Sequence, residues 1–157
     1  MWYVILSKSR QEQRAADNLA RQGGEVYLPM IEVERIRRGK RCREMEVLFP
    51  GYLFLRAEPD SPLLGKIRST FGVRGLLRFG EQPVLVADEL IADIRQRSEH
   101  KPPLETFKDG QQVLVTDGPF KDYQAIFHSY NGEQRAIILI QMLGQQNRLL
   151  IQLDQLK

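Results

Sequence analysis

One eight-residue run, Leu48–Leu55 or LFPGYLFL, constrains the fold more than any other stretch of the chain. Its Pro-Gly pair marks a turn, and the residues after the turn alternate between aromatic and leucine side chains. Because successive side chains of a β-strand point to opposite faces, Tyr52 and Phe54 share one face while Leu53 and Leu55 share the other. We expect the leucines to lie in the core. The aromatic face is either a second buried layer or a docking surface, and the pattern alone favours a strand buried on both sides.

The first 98 residues alternate between strand and helix patterns. Apolar β-prone runs indicate strands, and apolar residues at three- and four-residue spacing indicate helices. This order predicts an α+β sandwich of the ferredoxin-like kind, with helices packed against an antiparallel sheet. The expected strands are Trp2–Leu6, Val26–Met30, Tyr52–Leu55, Val73–Phe79 and Val84–Val86, and the expected helices are Gln11–Gln22, a segment opened by Ser61 and Pro62, and Ala87–Arg97.

Residues 31–48 predict a long β-hairpin whose tip is Arg38-Gly39-Lys40. The net charge of +3 lies wholly in residues 1–100, and the hairpin holds the densest part of it. A run of charge like this cannot be buried. It lies either in solvent or on a polyanion, where it would release counterions from nucleic acid. The basic residues, with no acid among them, are Arg35, Arg37, Arg38, Lys40, Arg41 and Arg43.

Two interpretations of residues 112–157 stay open, and a polar, proline-containing linker at residues 99–111 precedes them. Short β-prone runs between turn signals predict a small SH3-like barrel. Yet Ala136–Leu143 carries no strict alternation, so that run suits a buried strand or an apolar helix. The expected strands are Val113–Val115, Tyr123–His128, Arg135–Leu143 and Leu149–Leu153, with turns at Asp117–Phe120 and Asn131-Gly132.

Side chains that carry enzyme chemistry are scarce. With one cysteine and two histidines, the 157 residues fall short of the four ligands of an ordinary zinc site, and they contain no phosphate-binding glycine loop. We expect a binding protein that is not an enzyme and needs no cofactor and no metal. The lone Cys42 excludes an internal disulfide and favours a reducing compartment. No apolar run approaches the ~20 residues that span a bilayer, so we expect a cytoplasmic protein without a membrane partner.

The run LFPGYLF, preceded by a basic hairpin and followed by RGLLRFG, resembles the N-terminal domain of the NusG family of transcription elongation factors. The opening Trp2-Tyr3-Val4 fits the same family, and Asp117–Phe120 is similar to the KOW motif of its C-terminal domain. The resemblance covers nearly the whole chain. It implies an N-terminal (NGN) domain at residues 1–98, a linker at 99–111, and a KOW-like domain at 112–157.

Within that family the chain is most similar to the RfaH-type antitermination branch, through Ile36–Arg41, Arg78-Phe79-Gly80 and Tyr123–Phe127. In that branch the C-terminal domain is either an α-hairpin that masks the polymerase-binding face or a released β-barrel. The resemblance implies an interdomain ion pair between Glu46 and Arg135, with Phe127 as an apolar anchor. Gly144, which weakens a helix by ~1 kcal/mol, favours the barrel.

The resemblance also implies three binding surfaces on a monomeric protein. An apolar face would bind the clamp helices of RNA polymerase, and the first helix would contact the non-template DNA strand, although Asn18 and Phe71 depart from the residues of the RfaH-type DNA site. The released barrel would bind ribosomal protein S10. The polymerase-binding residues are Phe49, Tyr52, Phe54, Leu76 and Phe79; the DNA-binding residues are Lys8, Gln11, Arg14, Asn18 and Arg74; the basic hairpin residues are Arg37, Arg38, Lys40 and Arg41.

The expected function is transcription antitermination and elongation: the factor would hold the polymerase clamp closed, suppress pausing and termination, and couple transcription to translation. Two alternatives stay open. One is a housekeeping NusG-like factor that has no DNA sequence preference and binds Rho. The other is a ribosome- or RNA-binding KOW protein unconnected to polymerase.

Overall fold

The computed structural model describes residues 1–100, 121–129 and 131–155. Across these ranges, no helix combines the length and apolarity that a bilayer-spanning segment needs. The strands are β1 (Trp2–Ser7), β2 (Glu25–Tyr27), β3 (Met30–Arg37), β4 (Lys40–Val47), β5 (Tyr52–Arg56), β6 (Val73–Leu76), β7 (Arg78–Phe79), β8 (Gln82–Pro83) and β9 (Leu85–Val86). The helices are α1 (Glu12–Arg21), α2 (Asp88–His100), α3 (Lys121–His128) and α4 (Gly132–Gln155), with a 3-10 turn at Pro62–Lys66.

The main sheet has the strand order β2-β5-β1-β6, and β9 also pairs with β1. Every pairing in it is antiparallel. The central strands β1 and β5 keep an unbroken register from Trp2 opposite Arg56 to Leu6 opposite Tyr52. The mixed α/β character expected of the N-terminal part is confirmed.

The sheet separates two apolar clusters. On one side Leu53 and Leu55 are fully buried against α1, whose Leu19 is also fully buried. On the other side Phe54 packs in a larger cluster that includes side chains of α2, α3 and α4. The predicted alternation along Tyr52–Leu55 is therefore confirmed, and β5 is buried on both faces as the pattern favoured.

The hairpin β3–β4 forms a sheet of its own that leaves the body of the molecule toward its tip. At its base Val33 is fully buried, whereas Ile36 near the tip is 58% exposed. Arg37 pairs with Lys40, so the turn consists of Arg38 and Gly39, whose φ angles are +53° and +76°. Two consecutive positive φ angles match the right-handed twist of the flanking strands, and this is where glycine is needed.

Several local expectations need correction. The segment opened by Ser61 is only a 3-10 turn, although the Ser61 hydroxyl accepts a hydrogen bond from the Leu63 N–H at 3.3 Å, as a capping residue should. The strand expected over Val26–Met30 is split at Pro29, which has no N–H to donate to a ladder. The strand expected over Val73–Phe79 is interrupted at Leu77.

The strands predicted at Tyr123–His128, Arg135–Leu143 and Leu149–Leu153 are wrong, because these residues are helical in α3 and α4. Helix α4 buries one stripe at three- and four-residue spacing, which includes Arg135, Leu139 and Met142. Tertiary contact with the sheet thus selects the helical alternative, and no SH3-like barrel is present in the described ranges. The expected strand Val113–Val115, the turn Asp117–Phe120 and linker residues 101–111 lie outside the described residues.

Candidate functional site

The aromatic face is the side of the main sheet that carries Phe54, together with its ring neighbours. Phe49 and Phe54 are both fully buried and meet edge to face, with centroids 6.3 Å apart. Tyr27 stacks on the same Phe54 ring at 6.2 Å. Tyr52 and Phe79 pack at the margin and are only partly buried. Four of the residues that the sequence assigned to a polymerase-binding face therefore lie together.

Leu76, the fifth residue, does not join them. It packs in the cluster on the α1 side, whereas the next residue, Leu77, packs on the aromatic side. The pairing of β1 with β6 shifts register between Leu6 and Ser7, so strict alternation fails at this edge. Nothing in the sequence marks that irregularity. Leu76, which the resemblance assigned to the polymerase-binding face, therefore packs on the α1 side in this structure.

The aromatic face is covered by α2 and by the two C-terminal helices, α3 and α4. Phe127 of α3 and Leu139 of α4 are 1% and 0% exposed in the same cluster as Phe49 and Phe54. Large aromatic and aliphatic side chains of the sheet and of the two helices interdigitate there, as side chains do in a domain core. The face is therefore dry, and its dryness depends on the two C-terminal helices.

One fully buried arginine joins the C-terminal helices to the base of the hairpin. Arg135 Nη2 donates to Glu46 Oε1 at 2.8 Å, and Nε donates to the Leu48 carbonyl at 2.7 Å. Its Nη1 donates to the Ser129 carbonyl at 2.9 Å. Burial lowers the pKa of Arg135 below its usual range, and the hydrogen bond that Arg135 donates to Glu46 opposes that shift. The structure thus brings Glu46 and Arg135 together, as the resemblance implied.

Glu46 is shared between two arginines, which sequence reasoning did not foresee. Its Oε2 accepts a hydrogen bond from Arg35 Nη2 at 2.6 Å, while Oε1 faces Arg135. Arg35 sits on β3 and Glu46 on β4, so the first contact lies within the hairpin and the second connects the hairpin with α4. One carboxylate therefore compensates charge on two separate parts of the chain.

Helix α4 begins in close contact with the turn that precedes β5. A methyl group built on Gly132 would lie 2.6 Å from Pro50 Cγ, which is closer than real carbon atoms approach. Asn131 Oδ1 accepts a hydrogen bond from the Gln134 N–H at 3.2 Å and so caps the helix. The Asn-Gly pair, expected as a hairpin turn, instead starts a helix at a point where only glycine fits.

The polar side of α1 forms the second candidate surface. Lys8 and Gln11 precede the helix, which starts at Glu12, so the four-residue helical alignment expected from Lys8 to Asn18 is wrong at its start. Arg14 and Asn18 do share one face. They line a shallow groove of about 480 Å³ together with residues that spacing alone did not single out. The groove is lined by Arg14, Asp17, Asn18, Arg21 and Phe71, while Arg74 is exposed on β6 outside it.

The hairpin is less basic along its length than its sequence suggests. Arg37 forms a two-point ion pair with Glu44, at 2.9 and 3.2 Å, which lowers the pKa of Glu44 and raises that of Arg37. Glu44 lies on the opposite strand, where it is paired with Val33, and its side chain reaches Arg37 diagonally across the hairpin. The exposed basic residues at the tip are Arg38, Lys40 and Arg41. Among the described residues, no group of three His, Cys, Asp or Glu could hold a metal ion.

The N-terminal part of the chain matches a known family. The family model described as "Transcription termination factor nusG" matches residues 1–95. The chain belongs to the NusG family. Proteins named "Transcription termination/antitermination protein NusG" are 29% identical in Escherichia coli K12, over 85% of this chain and 81% of the relative, and 27% identical in Helicobacter pylori J99, over 88% and 86%.

A relative with the same name in Streptomyces griseus is 25% identical over 99% of this chain, and the chain spans only 63% of that relative's length. A solved structure described as "Domain interaction in Thermotoga maritima NusG" aligns with a TM-score of 0.46 and 23% identity, over 76% of this chain and 67% of the other.

Proposed function

We propose that this chain is a transcription antitermination and elongation factor whose aromatic face binds the clamp helices of RNA polymerase, and that α3 and α4 mask the face until they are released. The single observation that carries the proposal is the burial of Phe49 and Phe54 beneath helices distant in sequence. An apolar patch of this kind is rarely left exposed on a monomer. Once α3 and α4 are released, RNA polymerase can bind the aromatic face in their place.

The proposal retains the division into an NGN domain at residues 1–98, a linker at 99–111 and a KOW-like domain at 112–157. Two packings of one segment are both accessible only when their free energies differ by a few kcal/mol. The buried Arg135 supports a switch of this kind, because its charge is compensated by Glu46 only while α4 is docked. After release, the C-terminal segment would form the barrel and bind ribosomal protein S10, which would couple transcription to translation.

In the proposed mechanism the factor bridges the polymerase. The aromatic face holds the clamp, the groove beside α1 contacts the non-template strand, and the tip of the hairpin contacts a polyanion through Arg38, Lys40 and Arg41. Bridging would hold the clamp closed. A closed clamp would disfavour pausing and so reduce termination.

A pull-down with a clamp-helix fragment tests the proposal. We expect weak capture of the wild-type chain, stronger capture of Arg135→Ala, and loss of that gain in the double variant Arg135→Ala, Tyr52→Ala, since Tyr52 lies at the margin of the face. The matched control is Arg135→Ala, Met45→Ala, which truncates a side chain 61% exposed on the hairpin. Equal capture of all four proteins would contradict the proposal and favour a ribosome- or RNA-binding protein.

A housekeeping factor is the second candidate, because the matching family model is described as a termination factor. Such a factor would bind the same polymerase site without reading DNA sequence, and it would bind Rho. Gel shifts on paused transcription complexes with scrambled non-template strands separate the two. Equal binding to every sequence would exclude the specialised, sequence-reading factor and leave the housekeeping one.

A further inference from the structure

The pair Asn131-Gly132, where α4 begins, combines an amide side chain with a following residue that has no side chain. In such a pair the backbone nitrogen of the glycine reaches the side-chain carbon of the asparagine without hindrance, because no Cβ stands in the way. The amide is then lost, and asparagine becomes aspartate or isoaspartate. The other two asparagines of the chain, Asn18 and Asn147, precede residues with long side chains and lack this reactivity.

Docking of α4 uses both residues of this pair. Gly132 is needed because a methyl group built on it would lie 2.6 Å from Pro50 Cγ. Asn131 serves as the cap of the helix, since its Oδ1 accepts a hydrogen bond from the Gln134 N–H at 3.2 Å. The packing that seats α4 against the turn before β5 therefore fixes a glycine directly after the capping asparagine.

The docked chain holds the groups of Asn131 in an unreactive arrangement. Its side-chain oxygen is bonded to the Gln134 N–H, its backbone carbonyl accepts from the Arg135 N–H at 3.1 Å, and its own N–H donates to Ser129 Oγ at 3.3 Å. Ring closure turns the side-chain carbon back onto the Gly132 nitrogen and so breaks the first of these bonds. Asn131 is itself exposed, so water reaches any intermediate that forms. The protection therefore lasts only as long as α4 keeps its first turn.

We propose that Asn131 is a site of spontaneous deamidation, which α4 protects while it is docked and leaves open to reaction once it is released. The Gly132 nitrogen forms a bond to Asn131 Cγ as the Cγ–Nδ2 bond breaks, and the proton of the Gly132 N–H leaves with Nδ2 as ammonia. Water then opens the cyclic imide. Attack at Cγ gives aspartate, and attack at the backbone carbonyl carbon of Asn131 gives isoaspartate. The inference rests on the proposed function, since release of α4 is what permits the reaction.

The two products act on docking in opposite directions. Aspartate keeps the backbone intact, and its carboxylate caps the first turn at least as well as the amide, because negative charge is favoured at a helix N-terminus. Isoaspartate runs the main chain through Cβ and Cγ, which lengthens the backbone by one carbon before Gly132. That change displaces the start of α4 where it packs against Pro50 and beside Arg135, whose Nη2 lies 3.4 Å from a methyl group built on Gly132. Isoaspartate should therefore weaken the docking of α4 and uncover the aromatic face.

Ageing of the full chain in mildly alkaline buffer tests the site, with deamidation followed by mass spectrometry of the tryptic peptide 122–135. Leu139→Ala loosens α4 and leaves the sequence of that peptide unchanged. Reaction should be confined to Asn131 and should be roughly 30-fold faster or more in Leu139→Ala, because loss of a buried leucine raises the released population by that factor. The synthetic peptide 122–135 sets the upper limit of the rate. The matched control is Leu19→Ala, which removes an equally buried leucine of α1 and should leave the rate at the wild-type value.

Three outcomes of the ageing experiment would overturn the inference. The first is an intact Asn131 in Leu139→Ala after the synthetic peptide has reacted, since the pair would then be unreactive in the chain. The second is an equal rate in the wild type and in Leu139→Ala. The third is equal acceleration by Leu19→Ala and Leu139→Ala. In the last two cases the docking of α4 would not be what protects the amide.

Capture by the clamp-helix fragment and hydrogen exchange of the α4 amides together test the effect of isoaspartate on docking. Aged wild type should be captured more strongly than fresh protein, and an isoaspartate O-methyltransferase with S-adenosylmethionine should remove the gain. Asn131→Ser keeps a capping oxygen and has no amide to lose, so it should show no gain on ageing. Faster exchange in aged wild type without stronger capture would support the site and contradict polymerase binding by the aromatic face. Unchanged exchange in isoaspartate-containing chains would overturn the effect on docking.

Discussion

The two sides of the main sheet are equally dry, but very different parts of the chain cover them. The leucine side is covered by α1, which follows β1 after residues 8–11. The aromatic side is covered in part by α2, which follows β9 directly, and in part by α3 and α4, which begin at Lys121, far beyond the sheet in sequence. A local cover forms with little loss of chain entropy, whereas a distant one must close a long loop. The comparison supports the proposal that α3 and α4, unlike α1 and α2, leave while the sheet stays folded.

The largest effect should come from Arg135→Ala. The substitution removes the donors to Glu46, Leu48 and Ser129. Glu46 keeps Arg35 as a partner, but each lost hydrogen bond to the charged guanidinium had contributed about 1.5–3 kcal/mol. Because the cost falls on the docked state alone, hydrogen exchange of the α4 amides should accelerate by roughly 10²- to 10³-fold. Amides of β1 and β5 should keep their protection.

Arg37→Ala is the matched control, because it breaks a two-point ion pair that lies on the exposed part of the hairpin. It should leave exchange of the α4 amides unchanged. Equal acceleration by both variants would mean that general loss of positive charge, rather than the Arg135 contacts, controls docking.

The second-largest effects are expected from alanine substitutions of two buried leucines, one in α1 and one in α4. Leu19 of α1 and Leu139 of α4 are both 0% exposed, and a buried Leu→Ala change costs about 2–5 kcal/mol. Leu19→Ala should lower the unfolding midpoint of the sheet in urea, whereas Leu139→Ala should accelerate α4 exchange and leave that midpoint in place. Equal lowering of the midpoint by both would show one cooperative unit and break the comparison.

Gly132→Ala should weaken the docking of α4 to a smaller extent. The added methyl group would overlap Pro50, at 2.6 Å from Cγ and 3.0 Å from Cδ, and such overpacking costs about 1–3 kcal/mol. Helix α4 must shift away from the turn before β5, so its amides should exchange roughly 5- to 100-fold faster. Unchanged exchange of the α4 amides would show that the turn at Pro50 shifts to accommodate the methyl group without loss of free energy.

The smallest effect is expected from Gly144→Ala, and it has the opposite sign. A methyl group there would meet only the Phe79 ring at 4.0 Å, an ordinary contact, and alanine favours a helix interior over glycine by about 1 kcal/mol. Exchange of the α4 amides should slow by up to roughly 5-fold. Faster exchange would contradict the contacts at this position. Gly132→Ala and Gly144→Ala thus test the same chemical change at two points of one helix.

Local patterns predicted the sheet well, because alternation reports burial on a strand directly. The faces of Tyr52–Leu55 and the cap at Ser61 follow from residues a few positions apart. The predictions that failed concern residues whose contacts are distant in the sequence. The α4 stripe packs against the sheet, a contact that the local pattern did not show, and Arg37 meets Glu44 through the folding of the hairpin. The same holds for the groove, where Phe71 reaches Arg14 through the fold rather than along the helix.

The double engagement of Glu46 has a consequence for the vacated surface. If α4 leaves as proposed, Glu46 would still have Arg35 as a partner, because the 2.6 Å contact lies within the hairpin. The uncovered patch would then present a neutralised ion pair beside the aromatic rings, and not a bare anion. Only the arginine on α4 would lose its counter-ion, and it would regain one on docking.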